Sequence, residues 1–204
     1  MICFNSGCSF TTPDAIIINE QMYWYMLASN LNCNQFINES RPGSSNELIL
    51  QRVYDHVLEN PDLDVFYIIN ITSLNRIELE RSNSDKLQEI LKPDALIRLN
   101  YEIAELALFS QLIGIVAFLR LYNKNFYVIN NSKELSSTPY PPRDNFVKYL
   151  EKVPELLNVF SNSKYNFHKN VSKIKPYDYN QYGWAGHDSP AGHQAYYSML
   201  KTLL

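Results

Sequence analysis

Short apolar runs alternate along this chain with longer amphipathic stretches, and that alternation sets the expected order of elements. Met1 to Ser6 is an apolar run closed by Gly7, which reads as a buried strand leading into a tight turn. Pro13 and Asp14 suit a helix start. Ile16, Ile17, Tyr23, Trp24, Met26 and Leu27 follow without an intervening glycine, so a helix is expected to about Asn30. Gln35 to Asn38 is a weak second strand. Pro42 and Gly43 then turn the chain, Ser44 or Ser45 caps a helix, and Leu48, Ile49, Val53 and Val57 give it an apolar face to about Glu59. Leu63 to Ile71, LDVFYIINI, is the clearest strand: its β-branched and aromatic residues are nearly continuous, which assigns it to the middle of a parallel sheet.

A polar stretch from Thr72 to Ser84 precedes a long helical pattern from about Asp94 to Tyr122, and Asn125 to Ile129 is the next strand. A helix is expected from about Asp144 to Phe160 and a shorter one from about Pro190 to Leu204. Between them, residues 161–186 carry Pro176 and no periodicity, so they read as one long loop, a kind that more often carries function than not. Strands alternating with helices imply right-handed βαβ units, and hence a single domain over residues 1–204: an α/β fold, a three-layer α/β/α sandwich with a parallel, flavodoxin-like central sheet. The ligand crevice of such a sheet lies beyond the carboxyl ends of its strands. That rule singles out residues 7–12, 38–46, 70–78 and the end of the long loop near His187.

Composition excludes more than it selects. A length of 204 residues suits one large domain on the soft prior of roughly 150 residues per domain. With 46% hydrophobic and 19% charged residues the chain can bury a sizeable core, which rules out disorder. Eighteen Lys and Arg against 21 Asp and Glu leave a net charge of −3, so nucleic acid and anionic membranes are not expected partners. Three cysteines are too few and too odd a number for a disulfide framework, and the N-terminus lacks the basic and apolar regions of a signal peptide, so the expected compartment is the cytoplasm. The most apolar run, Ala107 to Leu119, is interrupted by Ser110 and Gln111 and is too short to span a bilayer. Histidines and cysteines show no CxxC or HExxH spacing, so no metal site and no cofactor are expected. Oligomeric state leaves no legible signal.

Three of the four edge segments carry candidate chemistry. Gly7-Cys8-Ser9-Phe10-Thr11 holds a hydroxyl at the end of the first strand, a position suited to a nucleophile; the commoner role for Ser9 or Thr11 there is to cap the next helix. Cys8 is a rival nucleophile, without a visible neighbour to stabilise its thiolate. In Asn38-Glu39-Ser40-Arg41-Pro42-Gly43-Ser44-Ser45-Asn46 the glycine lets a backbone N–H approach a ligand, which is half of an oxyanion hole, or else the segment is an ordinary capped turn. Gly186-His187-Asp188-Ser189-Pro190-Ala191-Gly192-His193 supplies two imidazoles, either of which suits a general base.

Taken together and in this order, GCSFT, NESRPGSSN and HDSPAGH resemble blocks I, II and V of the SGNH (GDSL-type) hydrolases, most like the small phage and bacterial members with GCSFT in place of GDSL. The resemblance runs the length of the chain on short motifs. It implies that Ser9 is the nucleophile and that its N–H and that of Gly43 form the oxyanion hole, with Asn38 and Asn46 as supporting residues and Ser40 where the family has a second glycine. Thr72 stands near the place of the block III asparagine, with Ser73 and Asn75 as alternative donors and Arg76 two residues before Glu78. In block V the position three before His187 is Trp184 rather than aspartate. His187 is favoured over His193 as the base, Asp178 and Asp188 are the nearby carboxylates, and the fallback is a Ser–His pair oriented by a backbone carbonyl.

The implied activity is that of a serine-dependent esterase or acyltransferase acting on a small-molecule or glycan ester. A fold alone never implies activity, so the rival reading is a non-catalytic binding or scaffold protein on the same fold. The long loop alternates Lys164, Lys169, Lys173 and Lys175 with Tyr165, Phe167, Tyr177 and Tyr179, a pattern suited to a lid over an anionic or sugar-bearing substrate or to a solvated surface segment.

Overall fold

Every residue of the strand Val65–Ile71 is buried, and a seven-residue strand with both faces out of water must be covered by helices on each side. The computed structural model describes residues 1–13, 18–72, 94–130, 152–157, 190–202 and 204. Within them, β1 (Ile2–Ser6), β2 (Gln35–Asn38), β3 (Val65–Ile71), β4 (Asn125–Asn130) and the two-residue β5 (Leu156–Leu157) form a parallel sheet in the order β2-β1-β3-β4-β5. This is the expected α/β architecture with flavodoxin-like strand order. The helices are α1 (Tyr23–Asn30), α2 (Asn46–Glu59), α3 (Asp94–Leu121) and α4 (Pro190–Lys201).

Strand order dictates which helix covers which face. The chain steps from β1 outward to β2 through α1, then reverses across β1 to reach β3 through α2; right-handed crossovers in opposite directions put their helices on opposite faces. Accordingly Ile49, Val53 and Val57 of α2 and Leu112, Ile115 and Leu119 of α3 pack on one side against Phe4, Tyr67 and Ile69. Tyr23, Trp24 and Leu27 of α1 and Tyr196 and Leu200 of α4 pack on the other against Cys3, Phe66, Ile68 and Ile129. The reversal leaves a crevice between the carboxyl ends of β1 and β3, the switch point at which such sheets bind ligands.

Several expectations need correction. The helix expected from Pro13 to Asn30 starts only at Tyr23: Asn19–Gln21 makes one exposed 3-10 turn, and Met22 is extended (φ −79°, ψ 136°) with its side chain drawn into the core. The helix expected to run to Phe160 is absent at residues 152–157, where Leu156 and Leu157 pair with Val128 and Ile129. Pro154 explains this, because it lacks an N–H and disfavours helical backbone at Val153. On α2, Leu50 rather than Leu48 completes the buried face. The loop over residues 161–186 and the remainder of residues 73–93 lie outside the described residues. Among those described, no helix is long and apolar enough to cross a membrane.

Cys3, Cys8 and Cys33 are free, buried thiols. The first and last share a hydrogen bond that, with burial, pushes Cys3 up from the usual thiol range; the same bond draws Cys33 down.

At the end of the sheet away from the crevice, the His56 ring lies 4.2 Å from that of Phe4, and its Nδ1 is 2.9 Å from the Tyr67 hydroxyl. Burial pushes the imidazole below its ordinary pKa, outweighing Glu59 and Glu39, which raise it. The folded chain therefore binds this proton at lower pH than the unfolded chain, and its contribution to stability is lost as pH falls below about 6.5. Urea unfolding midpoints measured between pH 7.5 and pH 5 are expected to fall less in His56→Gln than in the wild type; parallel slopes would remove this role.

Candidate active site

The first strand ends at the crevice, and its last residue is anchored through Ser6 Oγ, which donates to the Ile49 carbonyl of α2 at 2.9 Å. The chain then has to turn in little space. A Cβ on Gly7 would lie 2.1 Å from Thr11 Oγ1, 3.0 Å from Asn70 Cβ and 3.2 Å from Ser40 Oγ, so only glycine fits. Ser9–Thr11 follows as a single 3-10 turn, closed by Thr11 N–H on the Cys8 carbonyl at 3.0 Å. That carbonyl also lies 3.0 Å from the hydroxyls of Thr11 and Thr12. Ser9 keeps 8% of its surface exposed, whereas Cys8 has none and packs into the core under α2 and α3. Cys8 is thereby a packing residue, which removes the rival thiol nucleophile.

Beneath this turn sits a network of buried polar side chains. Asn70 Nδ2 gives its hydrogens to Asn5 Oδ1 at 2.7 Å and the Ser6 carbonyl at 3.2 Å, while Asn70 Oδ1 accepts from the Tyr23 hydroxyl. Asn5 Nδ2 in turn donates to Asn38 Oδ1 at 2.9 Å and Ser40 Oγ at 2.8 Å. Ser40 Oγ lies 2.9 Å from Thr11 Oγ1, and the Thr11 carbonyl accepts from Asn38 Nδ2 and Trp24 Nε1, both at 3.2 Å. Both hydrogens of each buried amide are thus placed, which fixes the amide orientations as well as the backbone they hold.

The second segment is laid along the first. The Asn5 carbonyl accepts from Glu39 N–H at 2.8 Å and the Gly7 carbonyl from Arg41 N–H at 3.2 Å, so the ladder between β1 and β2 continues into the turn. Gly43 adopts φ +82°, and a Cβ there would meet nothing within 4 Å. The glycine is therefore required by backbone conformation, and the space beside it is open. Ser45 Oγ then caps α2 by accepting from Leu48 N–H at 3.3 Å. Asn46, the first residue of α2, brackets the end of β3: its Oδ1 accepts from Thr72 N–H at 2.8 Å and its Nδ2 donates to the Thr72 carbonyl at 3.0 Å. That bracket engages both backbone polar groups of Thr72, which is 1% exposed. Arg41 and Glu39 form an exposed ion pair at 3.2 Å, worth little in stability.

His193 lies on the buried face of α4, 2% exposed, with its ring 5.7 Å from that of Tyr23 and nearly parallel to it. Burial of this kind fits a packing role for His193. The remaining sequence candidates, Ser73, Asn75, Arg76, Asp178, Trp184, His187 and Asp188, lie outside the described residues, as do the loop lysines. Hydrogen bonds thus tie Ser9's turn to Asn38, Ser40 and the Gly43 loop, and Asn46 ties that loop to Thr72. Among the described residues no three His, Cys, Asp or Glu side chains cluster as metal ligands would. Sequence reasoning missed Asn5, Tyr23 and Asn70. The available signal was an asparagine near the end of each of two otherwise apolar strands, since a buried amide needs partners.

The described strands thus make a parallel sheet with a serine turn after β1 and a glycine loop after β2, both at its carboxyl edge. The chain shares its fold with a protein from Desulfitobacterium hafniense assigned to the G-D-S-L family of lipolytic proteins, at a TM-score of 0.52 and 13% identity, over 100% of this chain and 99% of that one. The psychrotrophic esterase EstA of Pseudoalteromonas superposes at a TM-score of 0.49 and 12% identity, over 98% and 94%. No family profile and no curated protein matches the sequence.

Two substitutions probe this architecture. Gly7→Ala forces a clash with Thr11 and Asn70 and is expected to destabilise the fold by about 1–3 kcal/mol, the range for overpacking. Asn46→Ala leaves the Thr72 amide without its partner and is expected to cost about 1–3 kcal/mol. Chemical denaturation measures both, and a wild-type midpoint in either variant would contradict the contacts described.

Proposed function

We propose that this chain is a serine-dependent esterase or acyltransferase acting on a small-molecule or glycan ester. Ser9 Oγ attacks the ester carbonyl while its proton passes to His187, and the tetrahedral oxyanion is received by the N–H groups of Ser9 and Gly43, with the Thr72 hydroxyl as a third donor. Collapse expels the alcohol, which takes the proton from His187 and leaves an acyl group on Ser9. Water, or a second alcohol in the acyltransferase variant, then attacks that acyl group while His187 takes its proton. The bond to Ser9 Oγ breaks as His187 returns the proton to that oxygen, freeing the acid or the new ester. The G-D-S-L protein of similar fold is described as lipolytic, in keeping with an ester substrate.

The observation that carries this reading is the pairing of Ser9's turn with the Gly43 loop. Arg41 N–H on the Gly7 carbonyl and the contact between Thr11 and Ser40 tie the two, and Gly43 holds its positive φ beside open space. Such preorganised donors matter because removing one from an oxyanion hole costs about 10²–10³ in kcat. With Trp184 in the aspartate's place, a Ser–His pair suffices in this proposal, because a third member only fixes the tautomer and steadies the imidazolium.

Ser9→Ala is expected to abolish both hydrolysis of p-nitrophenyl acetate and labelling by a fluorophosphonate, with an unchanged unfolding midpoint. The wild-type rate is expected to rise with pH around the roughly 6.5 of an ordinary imidazole, and His187→Gln to remove that rise with most of the rate. Full turnover in folded Ser9→Ala, or no labelling of the wild type, would leave the binding-protein reading in its place. An active His187→Gln with an inactive His193→Gln would move the base to His193.

A further inference from the structure

We propose that Tyr23 is a positioning residue of this site, holding the nucleophile turn and the C-terminal helix in register. The proposal rests on the esterase reading. Tyr23 opens α1 and is buried between the sheet and α4. Its hydroxyl donates to Asn70 Oδ1, and Asn70 passes that constraint on by giving its hydrogens to Asn5 Oδ1 and to the carbonyl of Ser6, the last residue of β1. Gly7 follows directly, so close that a Cβ on it would lie 3.0 Å from Asn70 Cβ. The Asn70 side chain is therefore the floor on which the Ser9 turn rests, and the phenol locks its orientation.

The other face of the same ring meets α4. It stacks on His193 with centroids 5.7 Å apart and meets Tyr196 edge-on at 4.5 Å, while the Tyr196 hydroxyl donates to the Asn130 carbonyl at the end of β4. In the sequence, α4 begins at Pro190, three residues after His187. One side chain thus touches both the support of the nucleophile and the helix that follows the candidate base. Tyr23 is 1% exposed, so its effect is exerted through Asn70 and α4.

The test is Tyr23→Phe, which keeps the ring and its packing and removes only the donated hydrogen bond. Small misplacement of reacting groups costs up to about 10²-fold in rate, so kcat on p-nitrophenyl acetate and the rate of fluorophosphonate labelling are both expected to fall by about ten-fold or more. KM is expected to stay within about two-fold, and the rate loss to persist at temperatures far below unfolding. In an Asn70→Ala background the added Tyr23→Phe change is expected to cost nothing further, because the phenol acts through that amide; should Asn70→Ala fail to fold, the single Tyr23→Phe variant still decides. Wild-type kcat and labelling in Tyr23→Phe, with Ser9→Ala inactive, would overturn the positioning role alone. A rate loss that vanishes on cooling would do the same, assigning Tyr23 to stability. Activity surviving in Ser9→Ala would instead overturn the esterase reading, and the proposal with it.

Discussion

The Asn5–Asn70 amide pair, on two adjacent buried strands, is the constraint around which the carboxyl edge of this sheet is built. Neither residue has any exposed surface, and a buried amide is tolerable only when its hydrogens and oxygen are all engaged. Each need recruits a different element: Asn70 takes the phenol of α1 and the last carbonyl of β1, and Asn5 takes Asn38 and Ser40 at the exit of β2. Satisfying two side chains thus brings α1, β1, β2 and β3 to one point. The serine turn stands directly above it.

The two glycines of the site answer to different physics. Gly7 is forced by crowding, because the polar network leaves no room for a methyl group, whereas Gly43 is forced by a left-handed backbone in open space. In the acyl-transfer reading proposed above, the crowded turn would hold the nucleophile and the open one would leave room for the acyl oxygen. The bracket between Asn46 and Thr72 extends the same logic to the third strand by tying the start of α2 to the end of β3. Apolar packing covers both faces of the sheet, with the larger cluster under α2 and α3, so its carboxyl edge can carry polar groups at little cost to the fold.

Against the SGNH pattern that the sequence resembles, the departures fall on donors and orienting groups that have substitutes, and the proposed nucleophile Ser9 and proposed oxyanion glycine Gly43 stay in place. In the proposed reaction the Thr72 hydroxyl serves where that pattern has an amide, and Ser40 in place of a glycine joins the network through its own oxygen. In the proposed reaction, Trp184 in place of an aspartate before His187 leaves the orienting role to a backbone carbonyl.

Much of the fold was legible along the chain because periodicity reports burial directly. The apolar run ending at Ile71, the capped helix after Ser45 and the alternation of strands with helices are local signals, and they led to the parallel sheet and to its carboxyl edge as the place to look. Glycine and serine in short motifs likewise pointed to Ser9 and Gly43, because turn chemistry is local too. The late start of α1 and the strand at Leu156 depended on where Met22 could be buried and on what Pro154 forbids beside an open sheet edge. Partnerships such as Tyr23 with Asn70, Asn46 with Thr72, and Cys8 with the core join residues tens of positions apart. The sequence alone determined which residues have the chemistry for such bonds; which partner each one meets was decided by the folding of β1 beside β3, since a hydrogen bond needs about 3 Å between atoms that the chain by itself leaves far apart.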